Sequence, residues 1–339
     1  MKAIVRPQPL PIADPGSLVD ADLSKPAPAG RDLLVKVEAV SVNPVDTKRR
    51  MEVPPPNTPP RVLGWDAAGT VAGVGKDVSL FKEGDRVYYA GDVGRPGSNS
   101  EFQLVDERIV GRMPKKLSAA QAAAMPLTSI TAWEAFFDRM RIDRHGKDKG
   151  KRLLIIGGAG GVGSVGIQLA KLAGLAVVAT ASRPETREWV KGLGAQQVID
   201  HRQPLKPQAE AAGFAAFDYI ANFSGDLDLH WPAMSELIAP QGYAVAIVGN
   251  QKPMALDAFR MKSASFCWEF MFTRPRFETP DMIEQHRLLN EVAELLDAGT
   301  LKCTLKETLR PINAANLRQA HARLESGTMI GKLVLEGWS

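Results

Sequence analysis

The sequence predicts an α/β protein in which a turn-rich β domain is followed by a doubly wound parallel sheet. Three observations predict this fold class. Short valine-rich runs separated by Gly and Pro fill residues 1–125, strands alternate with helices from about residue 152, and a glycine-rich turn joins the first of those strands to its helix. Strands that alternate with helices form parallel sheets, because each helix carries the chain back to the edge where the next strand begins.

The composition is that of a globular protein. The 339 residues are 45% hydrophobic and 24% charged, which is enough chain for about two domains. Apolar runs are too short to span a bilayer and the N-terminus lacks a signal-peptide core, so we expect a cytoplasmic protein that does not bind membranes. The net charge is only +4, and the densest positive runs, 47–50 and 144–152, have no interleaved aromatics, which argues against nucleic-acid binding. Two distant cysteines, Cys267 and Cys303, cannot form a cysteine metal cluster.

The β domain is predicted from short runs with strand character. They are residues 32–42, 69–75, 85–91 and 100–106. The stretch EVPPPNTPP (52–60) cannot be a helix or a central strand, because proline lacks an N–H donor and fixes φ. The pattern changes to helical spacing at residues 117–138, which marks the end of this part of the chain.

The second part repeats apolar strands and helices. Strands are predicted on either side of the helix VGIQLAKLAG and at 196–200, 217–223 and 243–249, with helices at 184–193 and 226–239. From about residue 280 we expect an amphipathic helix ended by Gly299, a strand at KETLRPI, a helix from Asn313 to Gly327, and a last strand at GKLVLEG.

The strongest local signal is IIGGAGGVGS (155–164), which follows an apolar strand and opens an apolar helix. Glycines let the backbone approach a pyrophosphate closely, and the helix N-terminus offers free N–H groups and a positive dipole end. The alternative is a tight strand–helix turn without a ligand. The residues expected to hold the dinucleotide are Gly158, Gly160, Gly161, Val162 and Gly163.

The type of dinucleotide is predicted from the end of the second strand, where NAD enzymes place an acidic residue. Here Ser182 and Arg183 stand instead, and a hydroxyl with a guanidinium favours the 2′-phosphate of NADP(H). Arg187, one helical turn later, adds a second positive charge. His201, after the third strand, either approaches the same phosphate or is a loop residue. Arg183 alternatively stacks on the adenine or faces solvent.

Further cofactor contacts are expected at the carboxyl ends of the later strands, where open parallel sheets bind ligands. Phe223 and Ser224 should pass the nicotinamide ribose, and Gly249 and Asn250 the nicotinamide amide. Lys332, in the last strand, either contacts the cofactor or forms a surface salt bridge.

The segments SVNPVDTKRR, LGWDAAGTVAGVG, FKEGDRVYYAG, MPLTSITAWEAF, GGAGGVGSVGIQLAK and GKLVLE resemble the medium-chain dehydrogenase/reductase superfamily, in particular its quinone oxidoreductase branch that includes zeta-crystallin. The resemblance covers nearly the whole chain. It implies a GroES-like catalytic domain (1–125), a Rossmann NADP(H)-binding domain (126–270) and a return to the catalytic domain (271–339). It also implies a homodimer paired through an edge strand, for which ASFCWEF (264–270) is the candidate.

The subgroup resembled most is commonly labelled zinc-binding alcohol dehydrogenase family protein, so the zinc positions need comparison. Zinc members take a cysteine from Cys-x-x-Asp, where this sequence has NPVD (43–46), and a histidine from Gly-His-Glu, where it has GWD (64–66). The later cysteine and the structural zinc cysteines are missing as well. Zinc sites are built from Cys, His and carboxylate ligands. We therefore expect no zinc and no other metal.

Without a metal to stabilise an alkoxide, reduction of a quinone or an α,β-unsaturated carbonyl by NADPH is favoured. Asn43 stands where zinc relatives have the cysteine, and its amide donates to the acceptor carbonyl, caps the turn before Pro44, or does both. Asp46 holds that turn more readily than it acts as an acid. By the resemblance, Thr128 contacts the nicotinamide side. Trp65 either walls the pocket for a flat acceptor or serves packing.

Three functions stay open on the sequence alone. The first is the zinc-independent quinone or enone reductase, and the second is a reductase of simple aldehydes or ketones with a non-standard metal site. The third is a non-catalytic NADPH-binding sensor. The glycine turn with Ser182 and Arg183 fits all three, and only the polar groups around Asn43 and Thr128 favour catalysis.

Overall fold

The structure is a computed structural model that describes Met1–Trp338. The chain divides into two compact units. Unit 1 contains Met1–Leu127 and the described residues from Phe272 onward, and unit 2 contains Thr128–Met271. The N- and C-terminal parts of the chain therefore fold together in one unit, and the middle part folds by itself.

Sixteen strands and eleven α-helices form the described chain. The strands are β1 Lys2–Arg6, β2 Val19–Asp22, β3 Asp32–Ser41, β4 Arg61–Val62, β5 Ala67–Val74, β6 Arg86–Tyr89, β7 Phe102–Asp106, β8 Val110–Arg112, β9 Arg152–Ile156, β10 Ala176–Thr180, β11 Gln197–Ile199, β12 Phe217–Asn222, β13 Ile238–Ala246, β14 Ser265–Trp268, β15 Leu305–Leu309 and β16 Lys332–Glu336. The α-helices are α1 Pro44–Met51, α2 Ala119–Ala123, α3 Pro126–Trp133, α4 Gly161–Leu172, α5 Pro184–Leu193, α6 Leu205–Ala211, α7 Leu227–Leu237, α8 Asp257–Met261, α9 Thr273–Phe277, α10 Glu284–Asp297 and α11 Ala314–Glu325.

Unit 1 is built on two β-sheets. The larger has the order β15-β16-β3-β5-β6-β8, with β7 also paired to β3, and the smaller has the order β2-β1-β4. The last strand, β16, lies antiparallel to β3, with Val334 opposite Ser41. This pairing joins the end of the chain to its first long strand. The strands predicted in residues 1–125 are confirmed, as are β15, β16 and the irregular proline segment.

Unit 2 contains a six-stranded sheet in the order β11-β10-β9-β12-β13-β14, and all of its pairs are parallel. The order reverses between β9 and β12, which makes this the switch point of a doubly wound sheet. Central residues such as Leu154 and Ile220 are fully buried, because helices cover both faces of a parallel sheet. The predicted α/β fold class is confirmed, although β13 ends at Ala246, earlier than the sequence suggested.

The helical segment expected at 117–138 is divided into three pieces. Helix α2 ends at Ala123, α3 begins at Pro126, and a π-helix covers Glu134–Arg139. Proline explains the first break, because it lacks an N–H and disfavours helical geometry at the residue before it.

Candidate cofactor and catalytic sites

The glycine-rich turn connects β9 to α4, with Gly160 at the N-cap of the helix. Gly157 has a φ of +85°, which favours glycine. A Cβ on Gly163 would lie 2.3 Å from the carbonyl oxygen of Gly157, so this position admits no side chain. At Gly160 the nearest atom would be 3.6 Å away. The fold thus requires glycine at 157 and 163, whereas a Cβ at 160 would make only an ordinary van der Waals contact.

The neighbouring strand ends hold this turn in place. Gly157 N donates to Thr180 Oγ1 over 3.0 Å, and Gly158 N donates to the Thr180 carbonyl over 3.2 Å. On the other side, a Cβ on Gly157 would meet the backbone of Phe223 and Ser224 at 3.0 Å. The turn therefore lies at the switch point of the sheet. The prediction omitted Gly157, although it directly follows the strand in the sequence.

The first turn of α4 provides the groups that a pyrophosphate needs. The N–H groups of Gly161, Val162 and Gly163 precede the first helical hydrogen bond, which Ser164 N makes to the Gly160 carbonyl over 2.9 Å. The helix dipole makes this end positive. The turn, its lack of side chains and this helix end fit the diphosphate of a dinucleotide.

The end of β10 carries the groups expected at the 2′-phosphate. Arg183 precedes α5 and its backbone N donates to Thr186 Oγ1 over 3.0 Å, while its guanidinium lies 3.1 Å from the carboxylate of Glu185. About a third of the Arg183 side chain is exposed. A phosphate at this position would have to compete with Glu185 for Arg183.

Two further arginines lie near this strand end. Arg187 donates to the carbonyls of Ala181 and Val198, over 3.2 and 2.9 Å, so its guanidinium ties β10 to β11. Arg202 donates to the Ser182 carbonyl over 2.9 Å and to Asp200. The prediction missed Arg202, even though it directly follows the exposed His201 at the end of β11. The structure thus places a second, exposed guanidinium beside Ser182.

The other predicted cofactor residues of unit 2 lie at or beyond strand ends. Ser224 Oγ donates to Asn222 Oδ1 over 2.7 Å, and the Phe223 ring stacks on Phe136. Gly249 and Asn250 are exposed and follow β13 by a few residues, with Asn250 Nδ2 donating to the Lys252 carbonyl. Thr128 is buried in α3. The cofactor contacts of these residues stay predictions.

In unit 1, four buried polar residues from distant parts of the chain form what we call the Lys332 cluster: Asn43, Asp46, Asp66 and Lys332. Each is at most 3% exposed. Lys332 Nζ donates to the Val42 carbonyl over 2.8 Å and to Asn43 Oδ1 over 2.5 Å, and lies 3.2 Å from Asp66 Oδ2. Asn43 Nδ2 donates to the same Asp66 oxygen over 2.9 Å.

Local structure places the two aspartates. Asp46 lies in the first turn of α1, where its Oδ2 accepts from the backbone N of Asn43 over 2.6 Å, as a capping residue does. Its Oδ1 is buried without a hydrogen-bond partner among the described residues. Asp66 directly precedes β5, and its Oδ1 accepts from Leu127 N over 2.9 Å. Asp46 therefore holds the turn before α1, as predicted from the sequence.

Burial dominates the electrostatics of the cluster. It raises the pKa of Asp46 to about 7, against the opposing effects of the Asn43 N–H and the Lys332 charge. It also raises the pKa of Asp66, and it lowers the pKa of Lys332 although both aspartates favour the ammonium. Each shift has the sign expected when a charged form loses its water.

The cluster changes how two predictions are understood. The Asn43 amide donates to Asp66 and, over a long 3.4 Å, to the Ser41 carbonyl. Lys332 has three hydrogens on its ammonium and three oxygens around it, which leaves none for a cofactor in this arrangement. The predicted contacts of Asn43 with substrate and of Lys332 with cofactor would require one of these interactions to be exchanged.

Trp65 lies in the interior. Its side chain is 1% exposed, its indole N–H donates to the Asp92 carbonyl over 3.0 Å, and its ring meets Phe272 edge-on. Gly64 beside it has a φ of +104°, and a Cβ there would lie 2.7 Å from the side chains of Ser98 and Asn99. Trp65 is therefore held by one hydrogen bond and by ring packing, and its role as a pocket wall stays a prediction.

The zinc positions of the superfamily do not fit zinc in this chain. Position 43 is an asparagine and position 65 is a tryptophan with its N–H already engaged, while Asp66 faces an ammonium. Zinc requires several Cys, His or carboxylate ligands that converge on it. No group of three or more such side chains is placed to hold a metal ion among the described residues.

Comparisons with known proteins agree with the fold. Residues 29–115 match the alcohol dehydrogenase GroES-like domain, and residues 193–335 match the zinc-binding dehydrogenase family. A zinc-type alcohol dehydrogenase-like protein of Staphylococcus aureus is 44% identical over 92% of both chains. A chloroplastic quinone-oxidoreductase homolog of Spinacia oleracea is 28% identical over 94% of both. A crystal structure from Rhizobium etli, provisionally described as a zinc-dependent alcohol dehydrogenase, is 54% identical with a TM-score of 0.95, and covers 100% of this chain and 98% of that one.

The GroES-like domain and the Rossmann sheet together define a medium-chain dehydrogenase/reductase. The chain belongs to this superfamily of oxidoreductases, and quinone oxidoreductase homologues are among its relatives. In the described part of the chain, no helix has the length and apolar character that crossing a membrane requires.

Proposed function

We propose that this protein is an NADPH-dependent oxidoreductase that reduces a quinone or another activated, α,β-unsaturated carbonyl without zinc. The observation that carries this proposal is the Lys332 cluster at the zinc positions, where Asn43 and Asp66 face an ammonium. An alcohol dehydrogenase uses its metal to stabilise an alkoxide. A conjugated acceptor spreads the developing negative charge and needs only oriented hydrogen-bond donors.

The cofactor preference is supported by the end of β10. Ser182 and Arg183 stand where an NAD enzyme has an acid, and Arg202 adds a guanidinium beside Ser182. A 2′-phosphate carries up to two negative charges, which arginine binds in a bidentate manner. The turn at Gly157–Gly163 and the first turn of α4 would hold the pyrophosphate.

When bound, the reduced nicotinamide supplies the hydride for the acceptor. Asn43 is the donor we assign to the acceptor oxygen, because its bond to the Ser41 carbonyl is long and is the one the amide can redirect. The hydrogen bond from Lys332 to Asn43 Oδ1 polarises this amide and strengthens its N–H groups as donors. The Thr128 hydroxyl would contact the carboxamide side of the ring, and water would supply the proton.

The test is NADPH oxidation by the purified protein with a panel of quinones, enones and simple aldehydes, with and without a chelator. We expect turnover of quinones or enones that the chelator leaves unchanged. Aldehyde turnover that the chelator abolishes would contradict the metal-free mechanism. Tight NADPH binding with no turnover of any acceptor would favour a sensor instead.

The cofactor assignment has a separate test in Arg183→Ala. We expect NADPH affinity to fall by roughly 10–100-fold, as for the loss of a charge-assisted phosphate contact, with little change for NADH. Fluorescence titration with both nucleotides measures the two affinities. Equal losses for NADPH and NADH would mean that Arg183 does not bind the phosphate.

We also propose that the protein pairs as a homodimer through β14, which forms one edge of the sheet in unit 2. An exposed edge strand offers unpaired backbone groups to a second copy. Trp268, the last residue of β14, and Phe270, two residues later, are 45% and 42% exposed, so two large apolar side chains lie close together in the sequence at this edge. Sedimentation should give a dimer for the wild type and a monomer for Trp268→Glu, whereas a wild-type monomer would contradict the proposal.

A further inference from the structure

We propose that the ammonium of Lys332 is the permanent cation of the unit 1 site and takes the place that a metal ion has in zinc-binding members of the superfamily. The inference rests on the zinc-free part of the proposed function and names the ion that takes the place of the metal. Metal content and thermal unfolding test it without any turnover, so its failure can be told apart from a failure to reduce quinones or enones. It rests on contacts within unit 1.

The contacts around the ammonium of Lys332 are complete. Three oxygens surround Lys332 Nζ: the Val42 carbonyl at 2.8 Å, Asn43 Oδ1 at 2.5 Å and Asp66 Oδ2 at 3.2 Å. An ammonium has three hydrogens and no acceptor, so this set satisfies it. Because Lys332 is 3% exposed, the desolvation cost of its charge has to be offset by these groups.

The oxygens of Asn43 and Asp66 that surround the ammonium are also the ones that a metal ion would need. Asn43 and Asp66 occupy or adjoin the positions from which zinc relatives take ligands, and both direct an oxygen at the ammonium. A divalent cation beside a buried ammonium would be repelled at short range in a medium of low dielectric. The metal could enter only if Lys332 left.

The remaining ligand position is closed. Trp65 stands where the zinc relatives have histidine, and its N–H is fixed on the Asp92 carbonyl. The turn that carries it is held as well, because the Gly64 carbonyl accepts from Ser98 N over 2.8 Å and a Cβ at Gly64 would meet Ser98 and Asn99 at 2.7 Å. Rotating another donor into this position would disturb the local backbone.

The names of two relatives, from Staphylococcus aureus and Rhizobium etli, include the word zinc. In this chain, the positive charge is supplied by a side chain of β16, and it holds Asn43 and Asp66 in position as a bound metal would hold its ligands.

The first experiment measures metal content and its effect on stability. The purified full-length wild type is analysed by elemental mass spectrometry and by thermal unfolding before and after chelation. We expect far less than one zinc per chain and an unchanged Tm. Stoichiometric zinc whose removal lowers the Tm would overturn the proposal.

The second experiment is a double-mutant cycle of K332M and D66N. K332M strands the buried Asp66 carboxylate, so we expect its Tm to fall by roughly 5–10 °C. In the D66N background the same change should cost far less, because no unpaired charge is left. The control K36M, at an exposed lysine of β3, should change the Tm by about 1 °C or less.

The cycle also has outcomes that contradict the proposal. Equal losses from K332M in the wild-type and D66N backgrounds would show that Lys332 is not the partner of Asp66. If K332M does not fold, recovery of folding in the K332M/D66N double variant supports the pairing, and failure of the double variant beside a folded D66N contradicts it.

Discussion

In the glycine turn of unit 2, the groups offered to a ligand are backbone N–H groups. In the Lys332 cluster of unit 1, the polar groups are the side chains of Asn43, Asp66 and Lys332, which bind one another. The turn comes from one continuous segment, whereas the cluster joins residues as far as 289 positions apart. The turn works because side chains are missing, and the cluster works because the side chains of Asn43, Asp66 and Lys332 satisfy one another.

This difference predicts different responses to mutation. Adding a methyl group to the turn introduces a clash with backbone, which cannot move without disturbing β9 and α4. Removing one member of the cluster leaves a buried group without its partner. The folded protein is then less stable, and its stability depends on pH. The following changes test this contrast.

The largest effect is expected for Gly163→Ala. Its Cβ would lie 2.3 Å from the Gly157 carbonyl oxygen and 2.7 Å from Gly158 Cα, so the turn must open. We expect NADPH affinity, measured by calorimetry, to fall by roughly 100-fold or more, which corresponds to ~3 kcal/mol. Gly192→Ala is the control in the same unit, because its Cβ would meet nothing within 4 Å. If Gly163→Ala bound NADPH as tightly as the wild type, the turn would not depend on the absence of side chains.

The next effect concerns the pH dependence of stability and tests Asp46. Its pKa is about 7 in the folded protein and about 3.9 in an unfolded chain, so the folded state binds the proton more tightly. The wild type should therefore lose stability as the pH rises from 5 to 7. For the wild type, the expected loss in the free energy of unfolding is on the order of 2–3 kcal/mol. Asp46→Asn is neutral at every pH and keeps an acceptor for Asn43 N, so we expect no such loss for this variant.

Urea unfolding at several pH values measures the effect of Asp46. Asp77→Asn, at an exposed carboxyl outside the cluster, should keep the wild-type slope. Parallel pH profiles for the wild type and Asp46→Asn would mean that the cluster does not hold a proton on Asp46.

The smallest effect is expected for Arg202→Ala, which tests the side-chain contribution to the cofactor site of unit 2. Arg202 is exposed and its guanidinium already forms an ion pair with Asp200. Its contribution to phosphate binding should therefore be modest, about 3–10-fold in NADPH affinity. Arg260→Ala is a matched control, because Arg260 is also an exposed arginine paired with an aspartate in the same unit. An equal loss for NADH would contradict a phosphate contact.

The features that could be predicted from the sequence are those determined by residues close together in the chain. The strand before the glycine turn, the helix after it and the parallel sheet follow from apolar periodicity and turn residues within short windows. The cap formed by Asp46 is equally local, because it spans three residues. The fold class is confirmed for this reason.

The parts that could not be predicted depend on long-range contacts. The sequence predicts Lys332 as a cofactor contact or a surface salt bridge, and nothing in GKLVLE shows that its ammonium lies buried against Asn43 and Asp66. The spacing predicts Arg187 as a second charge one turn from Arg183, but the carbonyls of Ala181, just after β10, and Val198, in β11, already accept its hydrogens. Such partners are chosen by tertiary structure and leave no spacing pattern in the chain.

The pairing of β16 with β3 also sets an order of events during synthesis. Asn43 and Asp66 leave the ribosome long before Lys332, and a separation of 289 residues takes roughly 15–60 s to translate at 5–20 residues per second. Unit 2 is continuous and can fold during that interval. The nascent N-terminal segment must meanwhile keep the Asp66 carboxylate hydrated, and it can bury this charge beside its cation only when the last strand brings Lys332.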